Sequence, residues 1–439
     1  MGAFADPQTL SDLNIPGRHR NASIAHLFDT VVTAGGRRLM ENMFDNPLSD
    51  PRSINQRSRI LSYFATQVVA LPFTASEFEV VEDYLRGGGG HWLSVGIGAA
   101  RQRIAQIVFR SDDYERWHRA VLTSIRLLFR LQEFIERLSG GGGPWSDELE
   151  RARATLRNSA LADPGRAGSN QDLRPLQLIR LDHRLRTRLR HPMAQLIEFI
   201  YQLDVYLAVS KVGRERGFTY ARALDRSSNT LSVIDLFHPS LHNAVGNSFA
   251  LNGEMNALFL TGANMAGKST LMKAFGIAVY LAHMGFPVAA SAMEFSVKDG
   301  LYTSINVPDN LALGYSHFYA EVLRVKSVAE GVAAGRELIV VFDELFKGTN
   351  VKDAYDATLL LTDAFAQNRD SFFVISTHIV EVGEKLRERC ANFSFSYLPT
   401  EMRGVTPHYT YRLLPGISRD KQGMTIIENE GILELIRSA

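Results

Sequence analysis

The segment best suited to chemistry is residues 262–270, Gly-Ala-Asn-Met-Ala-Gly-Lys-Ser-Thr, which fits the phosphate-loop pattern G-x-x-x-x-G-K-[ST]. Its glycines would let backbone N–H groups wrap the phosphates of a nucleotide. Lys268 would reach the β- and γ-phosphates, and the Ser269 hydroxyl would bind Mg²⁺. Taken alone, the same letters also describe a simple glycine turn between a strand and a helix.

Two further apolar runs end in side chains that could act on a phosphate. The run 338–342 is followed by Asp343 and Glu344, the Walker B arrangement, in which Asp343 would hold Mg²⁺ and Glu344 would polarise the attacking water. The run 372–375 is followed at a short distance by His378, which would sense the γ-phosphate or position water. Acids or a histidine after a strand are common singly, but the three sites together predict a nucleoside triphosphatase.

The elements that must position these residues follow from the patterns around them. The apolar run 257–261 predicts a buried strand before the loop, and 271–282 predicts a helix after it. Strands and helices alternate in this part of the chain, which favours an α/β sheet with ligands at the carboxyl ends of its strands.

The upstream part of the chain has a different character. No lysine precedes Lys211, and the apolar residues of 193–212 follow helical spacing, so we place a domain junction at residue 212. The pattern before the junction is helical and is interrupted by four-glycine runs at 87–90 and 140–143, which predict flexible connectors. The chain of 439 residues is long enough for two or three domains.

The phosphate loop resembles that of the MutS-type DNA mismatch repair ATPases, which belong to the ABC-type ATPases. The Asn264-Met265 pair carries most of this likeness. Residues 343–350 resemble the Walker B segment of that family, with Phe346 and Lys347 where the family usually has Gly-Arg, and Asn350 where it usually has Ser.

The resemblance implies further site residues. Residues 309–318 are similar to the family's signature stretch, with His317 in place of the usual Thr, so Ser316 would contact the γ-phosphate held by an opposing subunit. The family's aromatic residue after the His238-Pro239 pair is not evident, because Ala244 and Val245 occupy that stretch. The implied nucleotide-binding set is Gly262, Asn264, Met265, Gly267, Lys268, Ser269, Thr270 and Tyr411.

The amino-terminal part is similar to the start of the MutS core, or lever, domain. The stretches that carry this likeness are 6–14, 23–29, 36–39, 46–48 and 54–59. The resemblance implies a mainly α-helical core domain over 1–212, with a shortened or absent clamp near 140–192, followed by an α/β ABC-type phosphate-loop ATPase domain over 213–439. Since the likeness begins at the core, we expect the mismatch-reading and connector domains to be missing.

Two segments upstream of the junction bear on nucleic acid. Phe134-Ile-Glu136 fits the Phe-x-Glu motif of the mismatch reader, but it lies in the helical run 121–138, which predicts a core phenylalanine. Residues 151–190 hold ten arginines against three aspartates. Arginines there would suit DNA phosphates, whereas the leucines at helical spacing equally favour a solvated helix face. The two sets are Arg184, Arg186, Arg188 and Arg190, and Leu178, Leu181, Leu185 and Leu189.

Composition limits the classes of protein. The net charge of +1 gives no overall attraction to nucleic acid, and the single cysteine, Cys390, excludes an internal disulfide framework and suits a reducing cytoplasm. The most membrane-like stretch, 275–295, is interrupted by His283, Gly285, Pro287 and Glu294, so we expect no membrane association.

The resemblance thus implies a cytoplasmic, Mg²⁺-dependent ATPase related to MutS. It would bind double-stranded DNA as an ATP-gated homodimer or MutS-family heterodimer, in DNA mismatch repair or in related DNA repair or recombination. The alternative is an ATP-gated interaction protein of the same family that has lost DNA or mismatch recognition. A transporter-type or chromosome-organising ABC ATPase is disfavoured by the Asn264-Met265 pair.

Overall fold

A computed structural model describes residues 3–16, 23–86, 112–139, 142–158, 182–185, 187–305, 317–403, 406–418 and 436. The chain divides into two compact units. The first comprises Met1–Phe28, Met43–Arg59 and Val212–Ala439, and the second comprises Asp29–Asn42 and Ile60–Lys211.

The elements are numbered here in chain order. The helices are α1 (Pro7–Asp12), α2 (Ile24–Leu27), α3 (Ala34–Asp45), α4 (Pro51–Thr66), α5 (Ala75–Arg86), α6 (Asp112–Ser139), α7 (Ser146–Asn158), α8 (Arg190–Arg216), α9 (Lys268–His283), α10 (His317–Ala333), α11 (Val351–Ala366) and α12 (Val380–Arg389). The strands are β1 (Thr219–Tyr220), β2 (Arg222–Leu224), β3 (Thr230–Leu236), β4 (Asn247–Asn252), β5 (Ala257–Gly262), β6 (Pro287–Val288), β7 (Ala292–Ser296), β8 (Gly300–Ser304), β9 (Leu338–Asp343), β10 (Phe372–Ser376), β11 (Phe393–Leu398), β12 (Thr400–Arg403), β13 (Thr406–Tyr409) and β14 (Leu414–Pro415).

The first unit is organised around a six-stranded sheet with the order β14-β11-β5-β10-β9-β8. All neighbouring strands from β11 to β8 are parallel, and only β14 runs antiparallel at the edge. Strands β9 and β10 are buried along their whole length, which matches their uninterrupted apolar sequences. A smaller sheet, β2-β7-β3-β4, belongs to the same unit.

Helices cover both faces of the six-stranded sheet. Val340 and Phe342 of β9 point to a core shared with helices α10, α11 and α12. The alternate residues of that strand face the other way, and α9 contacts β5, β8 and β9. Two buried faces explain why the sequence of these strands shows no apolar-polar alternation.

The described part of the second unit contains only helices. Trp145 stacks on Phe199 with ring centroids 4.9 Å apart and an interplanar angle of 5°. Phe134 lies in the same core with 4% of its surface exposed, so the prediction of a core phenylalanine is confirmed. Asp204 is buried and accepts hydrogen bonds from the backbone N–H groups of Val32 and Thr33, although burial raises the pKa of its carboxyl.

The helix and strand predictions around the phosphate loop are confirmed by β5, α9, β9 and β10. Helix α8 covers the predicted helical run at 193–212. Helices α5 and α6 end directly before the two four-glycine runs, most of which lie outside the described residues. The division into family domains at residue 212 stays a prediction, and so does the clamp near 140–192.

The amino-terminal residues are bonded into the first unit at β8 and α10. Arg324 of α10 donates to both carboxylate oxygens of Asp6, to the Thr9 hydroxyl (2.7 Å) and to the Thr303 carbonyl (2.9 Å). Asp12 accepts from the Thr303 hydroxyl (2.7 Å) and the Ile305 N–H (3.0 Å). These contacts join residues about 300 positions apart, and they explain why 1–28 belongs with the carboxy-terminal sheet.

We expect Arg324→Met to lower the free energy of unfolding of this unit by about 3 kcal/mol, because it leaves the partly buried Asp6 carboxylate without its partner. Burial opposes the ionisation of Asp6, but the hydrogen bond and charge of Arg324 hold its pKa below the ordinary 3.8. The stabilisation should therefore be present above pH 3.8 and be lost as the pH falls through the folded pKa.

Urea unfolding followed by circular dichroism at pH 7 and at low pH measures this effect. Tryptophan fluorescence would not report on the first unit, because the described tryptophans, Trp117 and Trp145, both lie in the second unit. Arg222→Met is the matched control because its ion pair with Glu294 is exposed, and it should cost less than about 1 kcal/mol. Equal effects of the two variants would contradict the assigned role of Arg324.

Candidate functional site

Three neighbouring strands of the six-stranded sheet end at one edge. Ser376, the last residue of β10, pairs with Leu260 of β5 on one side and with Asp343 of β9 on the other. Because these strands are parallel, the residues that follow each strand emerge on the same side of the sheet. The three sites found in the sequence are thereby brought together.

The phosphate loop folds back on itself between β5 and α9. Gly262 has φ 142° and Gly267 has φ 101°, which are backbone conformations that glycine adopts without strain. Met265 between them also has a positive φ, 72°. Gly267 caps the helix, and the first helical bond runs from the Leu271 N–H to the Gly267 carbonyl (2.9 Å). The N–H groups of the first turn therefore have no acceptor within the helix, which is the arrangement that binds anions.

Lys268 is buried at the start of α9 with 4% of its surface exposed. Its ammonium donates to the carbonyls of Gly262 (2.8 Å) and Ala263 (3.2 Å) and lies 3.6 Å from Oε1 of Glu344. The lysine thus reaches back over the loop toward the strand-end carboxylate.

Glu344 lies where the three strand ends meet. Its N–H donates to the Ser376 carbonyl (3.0 Å), and its φ of 51° turns the backbone sharply after β9. Besides Lys268, its carboxylate faces the Lys347 ammonium at 3.0 Å and Nδ1 of His378 at 3.8 Å. Burial pushes the pKa of Glu344 upward, but the hydrogen bond from Lys347 and the surrounding positive charges hold it below its ordinary value.

Asp343 is buried at the end of β9 and accepts a short hydrogen bond from the Ser376 hydroxyl. Within the described residues no group of three or more His, Cys, Asp or Glu side chains could hold a metal ion. A single carboxylate and the hydroxyl of Ser269 suit Mg²⁺, which usually takes one or two protein oxygens together with water and substrate phosphates. The donor set fits this ion.

A cavity of about 340 Å³ lies over the loop. The side chains that line it and carry chemistry are Asn264, Met265, Lys268, Ser269, Glu344 and Lys347. In the sequence, Lys347 stands out only as a departure from the family pattern, and its place in this cavity was not predicted. Its position three residues after Glu344, in a loop rather than a helix, gave no periodic signal.

A second cavity of about 390 Å³ adjoins the loop. It is lined by His238, Ala244, Val245 and Tyr411, together with loop residues that include Met265. The Asn247 side chain holds this wall by donating to the Tyr411 carbonyl (2.9 Å) and accepting from the Leu413 N–H (2.6 Å). A Cβ at Gly267 would lie 3.1 Å from the Tyr411 ring, so glycine permits this close approach.

The remaining predicted site residues are Ser316 and the four arginines near 184–190. Ser316 and Arg186 lie outside the described residues. Arg184, Arg188 and Arg190 are exposed in the second unit, whereas Leu185 and Leu189 are buried in its core. The exposed arginines are compatible with both interpretations of that segment.

The fold and the site together define a parallel α/β domain that carries a phosphate loop at the end of a central strand. The family model described as MutS domain V matches residues 258–439. Residues 258–439 of this chain therefore belong to the MutS domain V family.

Known relatives support this membership. The DNA mismatch repair protein MutS of Thermus thermophilus is 30% identical over 254 residues, which cover 56% of this chain and 30% of the relative. The DNA mismatch repair protein MutS of Anaplasma phagocytophilum is 29% identical over 234 residues, or 52% of this chain and 28% of the relative. The chain spans less than a third of the length of these relatives.

Among the helices that the structure describes, none is both long and apolar enough to cross a membrane.

We expect Gly262→Ala to destabilise the first unit by at least about 2 kcal/mol and to weaken nucleotide binding. An added Cβ would lie 2.9 Å from the Leu398 carbonyl oxygen at a φ of 142°, so backbone strain adds to a steric clash. Gly335→Ala is the matched control, because its φ is 74° but a Cβ there meets nothing within 4 Å. Chemical denaturation of both variants separates the steric clash from the strain of a positive φ. Equal losses of unfolding free energy in the two variants would contradict the clash.

Proposed function

We propose that this protein is a Mg²⁺-dependent ATPase of the MutS family with the fold of an ABC-type phosphate-loop ATPase. The observation that carries the proposal is the position of Glu344, whose carboxylate lies within 4 Å of Lys268, Lys347 and His378 at the meeting point of three parallel strands. A carboxylate so placed beside a phosphate loop is suited to activating water.

The roles divide among the three strand ends. The N–H groups of the loop and Lys268 would bind the phosphates, while Ser269 and Asp343 would hold Mg²⁺. When bound, Mg²⁺ neutralises charge that develops on the phosphate oxygens. Glu344 would then take up the proton of the attacking water, and His378, which is exposed beside it, would help to orient that water.

The cavity of about 390 Å³ is the candidate site for the nucleobase. It adjoins the phosphate loop at Gly267 and Thr270, and Tyr411 forms part of its wall. Ala244 and Val245 also line it, so the stretch that lacks the family's aromatic residue still contributes an apolar surface. Asn264, which is exposed at the tip of the loop, would contact the phosphates rather than the base.

DNA binding and assembly belong to the same proposal. The relatives are named as DNA mismatch repair proteins, and in this chain the exposed Arg184, Arg188 and Arg190 could contact DNA phosphates. A homodimer or a heterodimer with another MutS-family chain would bring Ser316 to the opposing nucleotide, as the family resemblance implies. The second candidate function, an ATP-gated interaction protein, is favoured by the net charge of +1, which gives no overall attraction to DNA.

Replacing Lys268 and Glu344 in two separate variants tests the division of roles. Lys268→Ala should weaken the affinity for a fluorescent ATP analogue by more than about tenfold, a loss of at least 1.4 kcal/mol. Glu344→Gln should keep that affinity within about threefold and slow steady-state hydrolysis by about a hundredfold or more, as expected for loss of a general base.

Glu381→Gln, an exposed glutamate in the first turn of α12, is the control and should match the unaltered protein. An unchanged hydrolysis rate in Glu344→Gln would refute the role given to that carboxylate.

Neutralising Arg184 and Arg188 together tests the DNA interface. The double alanine variant should weaken binding to matched and mismatched duplexes alike, and the slope of log affinity against log salt should fall by about 2, because each phosphate contact contributes about 0.9. Fluorescence anisotropy at several salt concentrations provides the slope.

The control pair is Arg387 and Arg389, which are exposed at the end of α12 in the first unit. If the unaltered protein shows no salt-dependent DNA binding, the ATP-gated interaction protein becomes the better account.

A further inference from the structure

Lys347 is a second cation of the phosphate cavity. It lies in the loop between β9 and α11, with 45% of its side chain exposed, and it lines the cavity of about 340 Å³ together with residues of the phosphate loop. Its ammonium is 3.0 Å from Oε2 of Glu344, which is the shortest of the three contacts between that carboxylate and a basic group.

The carboxylate of Glu344 is shared between two lysines. Oε1 faces Lys268 at 3.6 Å, and Oε2 faces Lys347 at 3.0 Å. Lys268 also donates to two loop carbonyls, so its charge is already divided among three acceptors. If the loop binds phosphates, Lys268 is the cation that they attract first, and its hold on Glu344 weakens.

His378 cannot replace Lys268 as a steady positive charge. Its Nδ1 lies 3.8 Å from Oε2 of Glu344, and its side chain is 57% exposed. The imidazole forms an ion pair with Glu344 only when it is protonated, whereas a lysine carries its charge throughout. Lys347 is therefore the one constant charge next to Glu344, among the described residues, that the phosphate loop does not itself use.

The backbone around Lys347 is fixed by its neighbour. Phe346 is 2% exposed although its φ is 65°, a conformation that costs energy for a side chain of this size. Its ring packs against Phe318 at the start of α10, with centroids 5.8 Å apart. Burial of Phe346 holds the strained turn, and the turn directs Lys347 toward the cavity.

We propose that Lys347 is the positioning residue of Glu344, which holds the carboxylate at the mouth of the phosphate cavity when Lys268 engages the nucleotide. This assignment rests on the proposed ATPase function. It requires no covalent step, and Lys347 acts through Glu344 rather than on the reacting atoms.

The test uses Lys347→Ala, Lys347→Arg and the control Lys352→Ala, an exposed lysine in the first turn of α11. Steady-state ATP hydrolysis is measured at neutral pH to give kcat and KM, and the affinity for a non-hydrolysable ATP analogue is measured separately. Lys347→Ala should lower kcat by about tenfold to a hundredfold, as for a misplaced reacting group, and leave analogue affinity within about threefold. Lys347→Arg should restore kcat, and Lys352→Ala should match the unaltered protein.

Each other result overturns a distinct claim. A loss of analogue affinity with unchanged kcat would make Lys347 a binding cation and refute the positioning role. Values of kcat and analogue affinity in Lys347→Ala that equal those of the unaltered protein would refute any role for Lys347. An unaltered protein that neither binds nor hydrolyses ATP would instead refute the proposed function itself.

Discussion

The parallel register of β5, β10 and β9 is the constraint on which the site depends. Ser376 pairs at once with Leu260 and Asp343, so the three strands end at the same level of the sheet. Apolar residues fill these strands up to their last positions, because both faces of the sheet are buried. Polar side chains therefore appear only at the shared edge, where they meet one another.

Strained backbone at this edge is supported by the buried structure around it. Met265, Glu344 and Phe346 all have positive φ, which side-chain-bearing residues rarely adopt. Each is held by its surroundings: the loop by its hydrogen bonds to Lys268, Glu344 by the Ser376 carbonyl, and Phe346 by its burial. Such concentration of strain is common where a protein holds groups ready for a ligand.

The sequence was informative wherever local pattern determines structure. Apolar runs located β5, β9 and β10, and helical spacing placed Phe134 in the core of the second unit. Contacts between distant residues could not be found in this way, because periodicity shows which face is buried but not what covers it. The bonding of Asp6 to Arg324 and the position of Lys347 beside Glu344 are both of this kind. The domain boundaries and the roles of the arginines near 184–190 stay predictions.

The central claim is that the three strand ends form one site for the phosphates of a nucleotide. Amide hydrogen exchange, measured by mass spectrometry with and without a non-hydrolysable ATP analogue and Mg²⁺, tests this claim directly. The account predicts slower exchange in 263–270, 344–347 and 377–380 together, at the same analogue concentration, and no change in 121–138 of the second unit. Protection confined to one of the three segments, or found only in the second unit, would contradict it.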